Sequence, residues 1–376
     1  MRLFDTPYSM GDIPVTGPRF VDLLERSGLT GRGGASFPTA TKWRAVAQRS
    51  AGNAVIVVNG AECEPQSKKD AVLMTSRPHL VLDGAFVAAR AVRARRIVLY
   101  LGERHHTARD AMLRALAERN EPERNLVGLS LAPPRYVAGA EAAAIHLIND
   151  GLATPTVIPP YPFERGVDGA PTLVQNVETL AHVAILARTG AIPGTVLVTL
   201  AGGVARPGVV EVDAGTAIGD VIMLAGGVTE VPRAVLVGGY FGSWVDREKA
   251  WPLKLEHDSL RAQGLGLGCG VIGFLPERRC PVCDVAGIMR YLAAESSAQC
   301  GPCFFGLRAL ADACTRIAES GANAADLERL RRWTLEVSGR GACKHPDGAV
   351  IFLSSALTVF ARDFATHRPH RAERTA

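Results

Sequence analysis

An α/β layer, a small strand-rich module and a helical end form the fold class predicted by three changes of pattern along the 376 residues. From about residue 50 to 190, short β-branched runs alternate with amphipathic ones: Val55 to Val58, a helix from His79 to Ala91, Ile97 to Leu101, and a helix from Ala108 to Glu118. That alternation predicts a parallel or mixed sheet covered by helices. From Gly194 to Asp246 the pattern turns strand-rich, with VLVTLAGGV, a turn at Arg206-Pro207-Gly208, VVEVDAG, a short helix in IGDVIMLAGG, and AVLVGG. A hairpin followed by one helix and another strand is the ββαβ order of a small β-grasp-type domain. From about Val285, apolar residues recur at helical spacing in GIMRYLAAE, LRALADACTRI, LERLRRWTLEV and AVIFLSSALTVFARDF, which predicts a helical bundle. The domain boundaries expected from these changes are 1–190, 191–273 and 274–376.

Composition narrows the class of function. The chain is 47% hydrophobic and 21% charged, enough for a sizeable core. Its net charge of +5 comes from dispersed arginines and from a tail, His367 to Ala376, expected to be disordered. No basic stripe is interleaved with aromatic residues, so no nucleic-acid surface is read. The start, MRLFDTPYSMGD, lacks the apolar centre of a signal peptide, and no apolar run reaches the length of a membrane span. A cytoplasmic protein is expected, and in that reducing compartment eight cysteines point to ligands or buried thiols rather than disulfides.

The cysteines are clustered: Cys280-Pro-Val-Cys283, Cys300-Gly-Pro-Cys303, and Cys343 alone in a glycine-rich loop. Thiolates bind soft metals, and a two-residue gap lets both sulfurs of a pair face one centre. Two ligand sets fit. One is an iron-sulfur site; the other is a tetrahedral zinc site of Cys280, Cys283, Cys300 and Cys303, which would leave Cys343 idle. Cys63, Cys269 and Cys314 read as buried small residues. His105-His106 reads as a polar loop, and His345 stands close enough to Cys343 to tune or ligate a metal centre.

A glycine-rich segment supplies the second chemical signal: Gly28-Leu-Thr-Gly-Arg-Gly-Gly-Ala-Ser-Phe-Pro-Thr, followed by Lys42. Glycines let backbone amides approach an anion, and a nearby lysine adds a point charge. No strand precedes the segment, so it is not a dinucleotide fingerprint, and by itself it is equally compatible with a flexible turn.

Taken with VVNGAECEPQSKKDAVLMTSRPHLVLDG, YPFERGVDGAPTLVQNVETL and ESSAQCGPC, the segment GLTGRGGASFPTATKW resembles the NADH-binding flavoprotein subunit of respiratory complex I. The same family includes the flavin subunits of NAD-reducing hydrogenases and formate dehydrogenases. The resemblance runs in order from about Gly28 to Phe364. It implies an α/β FMN-binding domain, a β-grasp-like SLBB-type domain and a helical domain carrying an iron-sulfur site of the 4Fe-4S kind. It implies that Gly31, Arg32, Gly33, Gly34 and Lys42 hold FMN, with Asn59, Glu62, Gly139 and Asn176 lining the flavin site. Phe37, Glu64, Glu141 and Tyr161 fall at positions surrounding the nicotinamide cofactor. The implied chemistry is electron passage from NADH through FMN to a cluster and on to a redox partner such as a ferredoxin-like subunit, within a multi-subunit complex. Glu141 also opens the helical run EAAAIHLIND, where a helix dipole favours a carboxylate, although alone it would be an ordinary helix-start residue. Glu62 and Glu64 alone would be solvated loop acids.

The chain departs from the family pattern in ways that bear on function. Gly60, Ala61 and Cys63 alter the usual N-A-D-E-G-E-P segment, and Gly139-Ala140-Glu141-Ala142 replaces G-E-E-T, removing one acid. Ile158 stands where a lysine precedes P-P-[FY]-P, and Gln175 replaces the first of two asparagines. Losing a lysine and an acid predicts weakened recognition of NADH more than of FMN, at about 1–3 kcal/mol per buried polar contact. In the cluster motif Cys300, Cys303 and Cys343 match ligand positions, whereas Ser297 takes the fourth. Such a cluster is expected to be incomplete or labile, or to recruit Cys280 or Cys283. The alternatives are a ferredoxin-linked subunit without NADH binding and a zinc-stabilised, non-redox binding module.

Overall fold

The computed structural model of the chain describes residues 2–4 and 17–369. Most of the amino-terminal segment read for a signal peptide, and the tail from 370 onward, lie outside the described residues. The chain divides into two compact units: residues 1–199, 208–216 and 268–270 form the first, and 200–207, 217–267 and 271–376 form the second.

In the first unit, β1 (Ala54–Gly60), β2 (Ala94–Gly102), β3 (Val127–Ala132) and β4 (Thr172–Asn176) form a sheet in the order β3-β2-β1-β4, and every pairing is parallel. The Val-Ile-Val-Val run of β1 has no polar face because both sides are covered. Ile56 and Val58 enter the core with Phe86 and Leu180, while Val55 and Val57 pack with Tyr100 and Ala138 on the opposite side. The expected helices at His79 to Ala91 and Ala108 to Glu118 are observed as Pro78–Val92 and His106–Ala117. Helix Pro78–Val92 packs on helix Val177–Thr189 so closely at Gly84 that a β-carbon there would stand 1.9 Å from the Leu180 carbonyl oxygen. Only glycine permits that approach.

Sheet order positions the site. The chain moves outward from β1 through β2 to β3, then returns to place β4 on the other side of β1. The carboxyl ends of β1 and β4 therefore flank a reversal of strand order, the place where open parallel sheets hold ligands. Asn59 and Asn176 sit opposite one another there.

The strand-rich region contains β5 (Thr195–Gly202), β6 (Gly208–Asp213), a helix at Ile218–Leu224 and β7 (Pro232–Val237), the ββαβ order read from the sequence. In the second unit β7 pairs antiparallel with both β8 (Ser243–Asp246) and β9 (Val271–Pro276). The helical end follows as Pro281–Ala294, Arg308–Ser320, Ala324–Val337 and His345–Val359. At Gly348 the last of these meets the Phe241 ring, which stands 2.2 Å from where a β-carbon would be. Two local features depart from a plain helical pattern. Pro302–Leu307 winds as a wider π-type turn, and the final apolar run breaks at Phe360 into a separate short helix, Ala361–Thr366. The break lets Phe360 and Phe364 both reach the core, at 2% and 1% exposure.

The expectation of a disordered tail fails at its first residue. His367 donates or accepts through both ring nitrogens, and its carbonyl oxygen accepts a bond from the Ala322 amide at 2.9 Å. Composition marked the tail as polar, but a single histidine following Phe364 is close enough to the core to be held.

Candidate functional site

The glycine-rich loop is folded back on itself: the Gly31 amide donates to the Phe37 carbonyl at 2.9 Å, and the Arg32 amide donates to Thr179 Oγ1 at 2.9 Å. Gly33 lies against Asn176, whose Cβ would be 3.3 Å from an added side chain, and Gly34 adopts φ +113°, a conformation suited to glycine. Arg32 Nε is buried with no hydrogen-bond partner among the described residues. A buried guanidinium nitrogen of this kind, beside a glycine turn, is a donor that a polar or anionic ligand would satisfy. FMN, with its phosphate, fits that donor set.

Around the carboxyl ends of β1 and β4 the predicted residues converge. Asn59 Nδ2 donates to the Gly139 carbonyl at 3.0 Å, and Asn59 Oδ1 accepts from the Ala61 amide at 3.2 Å. A β-carbon at Gly139 would come 3.2 Å from the Ala61 carbonyl. Asn176 accepts from the Glu178 amide at 2.9 Å as the N-cap of helix Val177–Thr189, and donates to Asp70 at 2.7 Å. Lys42 is ion-paired with Glu141 and donates to the Val174 carbonyl at 3.1 Å, so the residue expected at a phosphate and the residue expected near nicotinamide are joined. Glu141 begins helix Glu141–Asp150, as its sequence position suggested.

Glu64 accepts from the Tyr136 hydroxyl at 2.9 Å. Glu62 closes onto the start of helix Lys69–Ser76, accepting from the Asp70 amide at 3.1 Å and the Ala71 amide at 3.0 Å, with Ser67 Oγ at 2.5 Å. Phe37 is 49% exposed and Tyr161 is 48% exposed, the latter stacked on Phe163 at 5.4 Å. These two rings lie open to solvent. Gln175, one of the departures from the family pattern, accepts from the buried Trp43 indole at 3.2 Å.

Beneath this layer lies an ionic cluster that sequence reading missed. Lys69 Nζ is 2.6 Å from Asp70 and 2.8 Å from Glu178, all three buried. Burial opposes the charge on Lys69, but Asp70 and Glu178 outweigh it and raise its pKa. Burial alone would raise Glu178; Lys69 and His182 instead hold it at about 2. Asp70 stays raised, chiefly by burial, despite its contact with Lys69. Burial and the Asp70 carboxylate push Glu62 up to about 7. One ammonium thus pairs directly with two carboxylates, Asp70 and Glu178, while the pKa of both Glu62 and Asp70 stays raised. The only sequence signal was Ser-Lys-Lys-Asp, which reads as a solvated helix start.

The thiols of the second unit fall into two groups. Cys303, 1% exposed, sits in the π-type turn; burial comes first in raising its pKa to about 12, Ser296 opposes this, and the neighbouring Cys300 and Cys343 add to it. Burial likewise raises Cys343, partly offset by a hydrogen bond from the His345 amide. Neighbouring thiols, one buried and two part-buried, ionise when a metal supplies the positive charge, so Cys300, Cys303 and Cys343 fit a thiolate-bound cluster. Ser296 is the hydroxyl that bonds Cys303, whereas Ser297 Oγ donates to Gln299 Oε1 at 3.3 Å. His345 engages the backbone, with Nε2 2.8 Å from the Leu292 carbonyl oxygen. Cys280 and Cys283 instead stand with His367, their ligand atoms all within 4.8 Å of one another. Cys314 is buried, whereas Cys63 and Cys269 are only part-buried. His105 is packed under Gly102, and its pKa is lowered chiefly by burial.

Three family models match in chain order: the Nuo51 FMN-binding domain over residues 24–185, the SLBB domain over 197–239, and the NADH-ubiquinone oxidoreductase-F iron-sulfur binding region over 285–367. The F 2 subunit of the NADH-quinone oxidoreductase of Rhizobium meliloti is 30% identical over 380 residues, covering 95% of this chain and 90% of the relative. The corresponding F subunit of Mycobacterium tuberculosis is 29% identical over 381 residues, covering 92% of this chain and 84% of the relative. Among solved structures, NAD+-reducing NiFe hydrogenase in the H2-reduced state superposes with a TM-score of 0.83 at 31% identity. That match covers 93% of this chain and 63% of the hydrogenase chain, so the present chain spans less than two thirds of that protein's length.

Proposed function

Because the chain belongs to the family of NADH-quinone oxidoreductase F subunits, we propose that it is the flavin and iron-sulfur subunit of a multi-subunit complex, delivering electrons to a ferredoxin-like redox partner. Its activity is NADH-dehydrogenase-like electron transfer, with FMN and an iron-sulfur cluster as cofactors. The observation that carries the reading in this molecule is the pairing of a folded glycine loop beside the unpartnered Arg32 Nε with the mutually interacting thiols of Cys300, Cys303 and Cys343.

Bound FMN supplies the conversion between a two-electron donor and one-electron acceptors. The protein's part is positioning. The amides of Gly33 and Gly34, with Arg32 Nε, would receive the phosphate on a turn braced by the Gly31 and Arg32 amide bonds, and Lys42 would add positive charge. Asn59, Glu62, Gly139 and Asn176 shape the wall at the strand ends, held by the bonds among themselves and by helix capping. Cys300, Cys303 and Cys343 would hold the cluster, and the fourth position of the ligand motif, Ser297, offers no thiolate. Phe304 and Phe305, 42% and 71% exposed, flank this site as a surface for the redox partner. Division into 1–190, 191–273 and 274–376 is supported by the three separate family matches. No described helix is long and apolar enough to cross a membrane; the likeness to F subunits of NADH-quinone oxidoreductases is what supports a cytoplasmic placement at the periphery of a membrane complex.

NADH is the proposed donor, with weaker recognition than in intact family members. Glu64, Glu141, Phe37 and Tyr161 are present, but Ala140 offers no side-chain cap to helix Glu141–Asp150, and Ile158 places an apolar side chain, 43% exposed, where a lysine would attract a dinucleotide. Anaerobic titration of FMN-loaded protein with NADH tests this. We expect slow bleaching that needs high NADH, and a gain of about tenfold or more in apparent affinity in Ile158→Lys with Ala140→Glu. Saturable bleaching of the unaltered protein at low NADH would overturn the weakened recognition, while bleaching by reduced ferredoxin alone would favour the subunit without NADH binding. A colourless protein with neither flavin nor iron would leave the non-redox module.

A further inference from the structure

We propose that Cys280, Cys283 and His367 form a mononuclear zinc site, separate from the cluster, that fastens the end of the chain to the start of helix Pro281–Ala294. Among the described residues these are the group whose ligand atoms, two Sγ and one imidazole nitrogen, all lie within 4.8 Å of one another. Cys280 Sγ and His367 Nδ1 are 3.8 Å apart. A tetrahedral zinc ion with sulfur at about 2.3 Å and nitrogen at about 2.0 Å needs donors separated by roughly 3.5–3.8 Å. Thiolates on different irons of a cluster stand farther apart than that.

Local structure explains the arrangement. Cys280 is the N-cap of helix Pro281–Ala294, and Pro281 takes the first helical position, where its missing amide hydrogen costs nothing. One turn later Cys283 brings its sulfur back toward Cys280. His367 arrives from the other side, just past helix Ala361–Thr366. Its Nε2 lies 3.0 Å from the Ala318 carbonyl oxygen, so Nε2 carries the hydrogen and Nδ1 presents its lone pair toward Cys280. Its backbone is pinned as well, the carbonyl oxygen accepting from the Ala322 amide at 2.9 Å. A histidine locked at both ends in the ligand-ready tautomer is what a metal site requires of its surroundings.

Two thiolates and an imidazole favour zinc over harder divalent ions. Asp284, the adjacent carboxylate, is held by Arg279 with Nε to Oδ2 at 3.1 Å, so water completes the fourth position. Binding releases the two thiol protons and involves no change of oxidation state. The inference does not depend on FMN or on the electron donor.

The test is metal analysis of the full chain purified anaerobically, followed by removal of zinc with a chelator and titration with cobalt(II) chloride. The unaltered protein should contain one zinc per chain besides its iron, and cobalt should produce thiolate-to-metal absorption. Cys280→Ser and Cys283→Ser should lose zinc and the cobalt signal while keeping iron and sulfide, and His367→Ala should weaken zinc about tenfold or more. Zinc persisting in Cys280→Ser, iron lost together with it, or a Cys280–Cys283 disulfide in the unaltered protein would each overturn the site. Should the variants fail to fold, alkylation of the unaltered chain decides: zinc must slow modification of Cys280 and Cys283 on peptide mapping, and equal rates with and without zinc would refute the proposal.

Discussion

The polar groups of the sheet unit close on one another, whereas the reactive groups of the helical unit have mostly each other to face. At the ends of β1 and β4, Asn176 caps a helix and holds Asp70, Asp70 meets Lys69, and Lys69 meets Glu178. Glu62 caps the neighbouring helix through two amides. In the second unit burial raises Cys303 and Cys343, Cys300 adds to the rise of both and Cys343 to that of Cys303, with hydrogen bonds from Ser296 and the His345 amide as the opposing contacts. The difference follows from the guest each region accommodates. An organic cofactor is recognised by preset amides and shape, so its wall must be finished before it arrives. A metal or cluster brings the charge that its ligands lack, and its binding energy becomes folding energy for that region.

Removing a cluster ligand gives the largest break. Cys300→Ala or Cys303→Ala should abolish the cluster, read as loss of iron, acid-labile sulfide and visible absorption, with flavin retained in the sheet unit. Loss of flavin in the same variants would show that the two regions are not independent in assembly. Ser297→Cys probes the corner without a thiolate: it should slow loss of absorption in air. No gain there would direct attention to Ser296, the hydroxyl that bonds Cys303.

In the sheet unit the corresponding break is Lys69→Met. It leaves Asp70 and Glu178 buried without their cation, and should lower stability by about 3–5 kcal/mol in urea denaturation. A loss under about 1 kcal/mol would mean that protonation absorbs the change, and the stability of the variant would then rise steeply toward acid pH.

How far the sequence revealed each region reflects the same contrast. The strands and helices were legible because their apolar residues follow periods of two and 3.6, and the bounds of Pro78–Val92 and His106–Ala117 fall within three residues of expectation. Cys300, Cys303 and Cys343 were legible because spacing alone marks thiols as ligands. The ionic cluster was not, since Lys69 and Asp70 become buried only through strand order, which brings β4 and the Glu178 helix beside β1. His367 was hidden for the opposite reason: the polar composition of the tail masked one residue fixed by tertiary contacts.

Lys42 sharpens the comparison from within the flavin wall. Lys42→Ala should weaken FMN about tenfold to a hundredfold, measured by recovery of flavin fluorescence on dilution, through loss of a charge-assisted contact of about 1.5–3 kcal/mol. Because Lys42 also pairs with Glu141, unchanged flavin affinity would assign it to that pair alone. Gly33→Leu should weaken FMN as well, since any side chain there meets Asn176.

The smallest effect is a pH slope, and its sign follows from Glu62. Burial first, then the Asp70 carboxylate, raises its pKa to about 7 from 4.5, against the opposing pull of Lys69, Ser67 and the Ala71 amide. Between those two pH values the folded chain holds a proton that the unfolded chain has released. Raising the pH through this window therefore favours the unfolded state, and stability falls by at most about 1.4 kcal/mol per pH unit from this group, levelling off above pH 7. Asp70, raised in the same direction, steepens the same fall. Glu62→Gln, which carries no charge at any pH, should be flatter than the unaltered protein when urea midpoints are compared from pH 4.5 to 7.5. Equal slopes for the two proteins would place the stored proton on Asp70 rather than Glu62, and Asp70→Asn would then be the variant that flattens the curve.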